Sequence, residues 1–208
     1  MKVINIGIII VAVMMIFSGC TGRTSVTPVA KECVASSDSI EILREVIDPA
    51  KDEFDISEVV LWLKNKNNGA ETKILRTVRP DWHCWFMPDG TDFYPVPFDS
   101  VLVASRVYIH NLDPLQLIVE GCPDSRNEFS YFIDVPSRKA WYVPANSGYM
   151  GGTEEGYMVF RSYRYVSDPD IAGRYTFLQV FNDSGVMVDS LDLEHVILSA
   201  YKDEESTH

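Results

Sequence analysis

Few residues in this chain are equipped for chemistry. It has four cysteines and four histidines in 208 residues. His83 and Cys84 are adjacent, the two residue types that a thiolate nucleophile and its base require. Their spacing argues against that use. Successive side chains of an extended strand point to opposite faces, out of hydrogen-bond reach of each other. Cys84 is therefore read as structural. No HExxH or paired CxxC spacing appears, so no metal is expected. Asp89-Gly90-Thr91-Asp92 and Asp168-Pro169-Asp170 lack the alternating oxygen series of a calcium loop and read as turns. Gly148-Tyr149-Met150-Gly151-Gly152 has no phosphate-loop lysine after it and reads as a flexible loop, so no cofactor is expected. No GxSxG elbow is present. Thirty acidic residues always supply carboxylate pairs, and sequence alone gives no separation between them.

Aromatics are the other candidates. Trp82, Trp85, Phe86, Phe93 and Tyr94 crowd one short stretch, and Tyr131, Trp141, Tyr142, Tyr149 and Tyr157 follow. Strand alternation sends about half of such residues to the core. Those left outside offer flat faces to a sugar or peptide at low entropic cost. Trp82, Trp85 and Tyr94 are the candidate contact residues.

The elements that must position these residues are strands. Tyr157 to Val166 and Leu115 to Val119 are dense in aromatic and β-branched residues. Helical spacing is not sustained after Asn111, a final turn near residues 193–198 aside. Three segments share one shape: Trp82 to Pro97, Phe129 to Pro144 and Tyr175 to Ser190. Each is an aromatic-rich strand, a polar turn and a second apolar strand, and together they set a period of about 46 residues. The turns are carried by Pro88-Asp89-Gly90, Pro136-Ser137-Arg138 and Asn182-Asp183-Ser184-Gly185, whose residues preset or tolerate the dihedrals of a reversal. A further strand precedes each hairpin, at Lys73 to Val78, Leu115 to Cys122 and Tyr157 to Val166. The expected fold is mainly β with little helix: an antiparallel meander of three repeated three-stranded units, arranged as a sandwich, an open barrel or a propeller-like body. Ser39 to Ile47 fits either a strand or a short helix. Val59 to Leu63 is read as a strand that turns at Asn65 to Gly69 and pairs with Lys73 to Val78, a helix capped by Ser57 being the alternative.

The N-terminus reads as an address. Lys2 precedes an apolar run from Val3 to Phe17, and no further charge appears until Arg23. A basic start, an apolar core and small residues at its end form a secretory signal peptide. Phe17-Ser18-Gly19-Cys20 resembles the lipobox of bacterial lipoproteins. The resemblance implies cleavage before Cys20, a diacylglycerol thioether on its sulfur and an acylated amino terminus. Thr21 follows where an inner-membrane retention signal places Asp, which implies the outer membrane of a Gram-negative envelope. Several acyl chains anchor stably. An uncleaved membrane anchor is the competing reading of the same run.

The expected organisation is a signal peptide at 1–19, a lipidated tether at 20–38, a single β-rich domain at 39–201 and a polar tail at 202–208. The net charge is −12, and it becomes −13 once Lys2 is removed with the signal peptide. An acidic surface discourages adhesion to nucleic acid and to anionic headgroups. With Cys20 lipidated, Cys33, Cys84 and Cys122 remain in a compartment that permits disulfides. Cys84–Cys122 is the favoured bridge, joining a strand of the first unit to the strand leading into the second. Pairing through Cys33 is the alternative.

A non-enzymatic, membrane-anchored envelope lipoprotein is the expected function. Its domain would act as an interaction module for an envelope protein or a glycan. The alternative is an envelope hydrolase acting on glycan or peptide through carboxylates.

Overall fold

The computed structural model describes residues 30–51, 56–78, 91–102, 104–122, 128–144, 146–166 and 173–197. The described chain is built of antiparallel strands, with one 3-10 turn at Phe98–Ser100. The first sheet runs in chain order through β1 (Glu32–Ser36), β2 (Ile40–Asp48), β3 (Glu58–Asn65) and β4 (Glu71–Arg76). The second contains β5 (Tyr94–Val96), β6 (Arg106–Leu112), β7 (Leu115–Gly121), β8 (Phe129–Asp134) and β9 (Lys139–Val143), ordered β5-β9-β8-β7-β6. The third is a meander of β10 (Asn146–Gly152), β11 (Met158–Val166), β12 (Gly173–Phe181) and β13 (Met187–Ile197). Among the described residues no sheet closes on itself into a barrel. No helix of the described residues is long and apolar enough to cross a membrane.

The second sheet is the middle layer, and its sequence explains why. On β7, Leu117 and Val119 enter one core while Ile118 enters another. On β8, Tyr131 and Ile133 go one way and Phe132 the other. Apolar residues on both faces turn alternation into a continuous apolar run, as a strand buried on two sides requires. The first core joins this sheet to Ile42, Leu61 and Leu75 of the first sheet. The second joins it to Met158, Phe160 and Phe181 of the third. Both are substantial, since each fully buried side chain of this size contributes about 1.5–3 kcal/mol.

The mainly β, antiparallel meander is as expected. The hairpin of the second unit is β8–β9 and that of the third is β12–β13, with β7 and β11 as their preceding strands. Turn chemistry works as anticipated. Asp134 Oδ1 accepts from Ser137 N at 2.9 Å, and Asn182 Oδ1 accepts from Ser184 N and Val186 N, each at 3.0 Å. Val59 to Leu63 lies in strand β3 and pairs with β4, and the segment that fitted either a strand or a helix is strand β2, from Ile40 to Asp48.

Four features differ from the sequence expectation. The units are embedded in sheets of four, five and four strands rather than standing as three sets of three. Residues 82–90 of the first unit lie outside the described residues. Its described strand, β5, joins the second unit's sheet by pairing Tyr94 with Tyr142. Residues 32–36, within the stretch read as tether, form the edge strand β1. Gly148 to Gly152 belongs to strand β10 rather than to a loop. Glycine is tolerated there because β10 bulges between Tyr149 and Gly151, and Gly151 adopts a φ of +146°.

Candidate functional site

Of the residues singled out from sequence, Cys20, Trp82, Cys84 and Trp85 lie outside the described residues. Tyr94 stands on β5, 47% exposed. Cys33 and Cys122 are both exposed and are not bridged to each other. Tyr131 and Tyr142 are core residues of the first cluster, and Trp141 packs against the second. Most of the described aromatics therefore serve packing.

A charged cluster missed by motif reasoning sits where the second and third sheets meet. Its centre is Glu120 on β7, 1% exposed. Register puts Arg106 of β6 on one side of it and Ser130 of β8 on the other. Arg106 Nε lies 3.1 Å from Glu120 Oε2. Oε1 accepts from Ser130 Oγ at 3.2 Å and from the backbone N–H of Tyr149 on β10. The carboxylate thus ties the middle sheet to the third. Arg106 Nη2 also engages Glu128. Burial raises the Glu120 carboxyl above the usual carboxylate range, against the opposing pull of the Tyr149 N–H, Arg106 and Ser130. Deeper in the same contact, Ser147 Oγ pairs with Ser162 Oγ at 2.7 Å, and Ser162 Oγ donates to Gln179 Oε1 at 2.7 Å.

A cavity of about 370 Å³ opens against this cluster, with Arg106, Arg161, Arg174, Tyr163, Glu128 and Thr176 among its walls. A carboxylate inside the run Leu115 to Cys122 was the available sequence signal, because a charge in an otherwise apolar buried strand needs a partner. Arg161 and Arg174 gave no such signal, lying among aromatic strand residues.

A second, wider cavity of about 1120 Å³ is lined by β1, β6 and the turn after β10. His110 Nδ1 lies 2.9 Å from Tyr149 Oη at its wall. Burial holds the imidazole below its usual range, against a backbone hydrogen bond to Gly156. An imidazole that resists protonation when folded costs stability once the unfolded chain protonates, below about pH 6.5. His110→Gln is therefore expected to lose less melting temperature than wild type between pH 7 and pH 5.5. Parallel thermal unfolding curves check this, and equal losses would remove His110 as a source of acid sensitivity.

Among the described residues no group of histidine, cysteine and acidic side chains is placed to hold a metal ion. The arrangement offers recognition: guanidinium forks, tyrosine hydroxyls and one buried hydroxyl around a small opening. No protein-family model matches the chain, and no curated protein or solved structure is significantly similar to it.

Proposed function

We propose that this chain is a bacterial envelope lipoprotein, tethered through Cys20 to the outer membrane, whose β-rich domain binds a ligand without transforming it. The observation that supports binding is how Glu120 is used. Hydrolysis of a glycan or peptide by two carboxylates needs an acid and a base that the substrate can reach. Glu120 and Glu128 are the pair that Arg106 brings together. Both oxygens of Glu120 are occupied by a guanidinium, a backbone N–H and a hydroxyl, and the side chain is buried. Such a carboxylate fastens strands together. The side chains facing the adjoining cavity are suited to holding a ligand, from the periplasm, a glycan or an envelope protein.

The tether is supported by the Phe17-Ser18-Gly19-Cys20 sequence. Cys20→Ala is expected to shift the protein out of the membrane fraction and to leave its precursor uncleaved. Fractionation and mass measurement read both, and a variant that is processed and sorted like wild type would overturn lipidation. Crosslinking in intact cells, followed by identification of the captured species, tests the binding role. A wild-type protein that yields no specific crosslink would count against it.

A further inference from the structure

The small cavity gathers three arginines in a chain whose net charge is −12. Arg106 is committed to Glu120 and Glu128. Arg161 and Arg174 are not: among the described residues no carboxylate lies within ion-pair distance of either.

Strand register sets their relation. Tyr163 on β11 lies opposite Thr176 on β12. Arg161 is two residues from Tyr163, and Arg174 is two residues from Thr176, so alternation puts all four on one face. Because the strands are antiparallel, the two arginines approach the Tyr163–Thr176 pair from opposite ends. Their Cα atoms are separated by about four strand residues, roughly 13 Å. Arg174 folds inward, its Cζ 5.8 Å from the centre of the Tyr163 ring. Thr176 is 3% exposed, and its Oγ1 has no hydrogen-bond partner among the described residues. A buried hydroxyl is ordinarily satisfied. Gly148, paired with Arg161, keeps this wall free of a side chain: the nearest atoms a Cβ there would meet are those of the Glu128 carboxylate, from 3.5 Å.

We propose that this cavity binds a small organic anion whose carboxylate or phosphate group lies over the Tyr163–Thr176 pair. Arg161 and Arg174 hold the group, and Thr176 Oγ1 donates to it. Guanidinium forks match the planar or tripodal oxygens of such groups. Tyr108, Tyr163 and Met150 take the less polar body of the ligand. The volume is at the small end of ligand pockets, which sets the size class. Glu120 and Glu128 close the far side and repel a second negative group, so one acidic function is preferred to a polyanion. The inference rests on the binding role proposed above and names the ligand class for it.

The test is calorimetric titration of the full-length protein in neutral detergent and 0.15 M sodium chloride, where nonspecific attraction is screened. N-acetylalanine probes the carboxylate source and glycerol phosphate the phosphate source. At least one is expected to bind saturably. Arg161→Gln and Arg174→Gln are each expected to weaken it at least fivefold, and the double variant to abolish it. Thr176→Val should weaken it about threefold or more. Lys73→Gln removes the same charge from β4 and should change binding less than twofold. Melting curves of the variants must match wild type for the comparison to count, and Gly148→Leu, which fills the opening, is the second route if they do not. Saturation by neither probe overturns the proposal, as does wild-type binding in the double variant or in Gly148→Leu. Specific in-cell crosslinks that persist without anion binding would sink the anion site and leave the binding role standing.

Discussion

Arg106→Met is expected to destabilise the domain by about 2–3 kcal/mol at pH 8, and much less at pH 5. Methionine keeps the packing of the aliphatic stem and removes the charge. The loss falls on Glu120, whose side chain is 1% exposed and whose Oε2 loses its partner at 3.1 Å. Breaking a fully buried pair costs about 3–5 kcal/mol. The figure here is lower because the Arg106 side chain is 49% exposed, so water can reach the carboxylate from that side. The pH dependence has a definite sign. Burial already raises the Glu120 carboxyl in the folded chain, and losing Arg106 raises it further. Folded and unfolded states then differ in bound protons between the unfolded value near 4.5 and the higher folded value. Below that window both are protonated and the penalty is small. As pH rises through it, stability is lost. Melting temperatures of variant and wild type should therefore converge toward pH 5 and separate by roughly 4–12 °C at pH 8. Glu120→Gln added to Arg106→Met should flatten the profile, since the amide cannot ionise. A difference that does not change with pH would mean that Arg106 acts by packing alone.

This dependence on one pair shows why the fold was more legible than the site. Strand content, the β8–β9 and β12–β13 turns and the β3–β4 hairpin follow from local rules. Pro136-Ser137-Arg138 and Asn182 to Gly185 carry their own reversal signals, and Asn182 supplies the hydrogen bonds that its residue type promises. Assembly into layers is non-local. Nothing within Tyr94 to Val96 states that its partner is β9, about 45 residues onward, because any extended segment offers the same backbone groups. The bulge at Tyr149 to Gly151 likewise depends on β11, so its glycines resembled a loop. The site is less legible again. Arg106, Glu120, Arg161 and Arg174 come from four strands of two sheets, and no spacing along the chain relates them. The apolar run around Glu120 was the one local clue, and it identifies a buried charge without identifying its partners.

The same non-local packing sets the second large expected effect, at Gly185. Gly185→Ala should destabilise the domain by about 2–5 kcal/mol from two separable causes. Gly185 sits in the β12–β13 turn with φ of +75°, where a side chain costs about 1–2 kcal/mol. An added Cβ would also lie 2.6 Å from Cβ, Cγ and Cδ2 of Phe93. Phe93 has little room to withdraw. It is 8% exposed, and its ring centre lies 4.6 Å from Phe181, 5.8 Å from Phe132 and 6.0 Å from Phe160. Its backbone is fixed as well: Phe93 N donates to Gly185 O at 2.8 Å, and Met187 N donates to Asp92 Oδ1 at 2.9 Å. Overpacking of this kind costs about 1–3 kcal/mol. Gly69 separates the two causes, because its φ is +72° and a Cβ there meets nothing within 4 Å. Gly69→Ala should show the conformational cost alone. Chemical denaturation of both variants measures the difference, which is the energy of seating Phe93 against the turn. Equal losses would mean that Phe93 does not pack there, and the second core would then lack the contact that joins residues 92–93 to the third sheet.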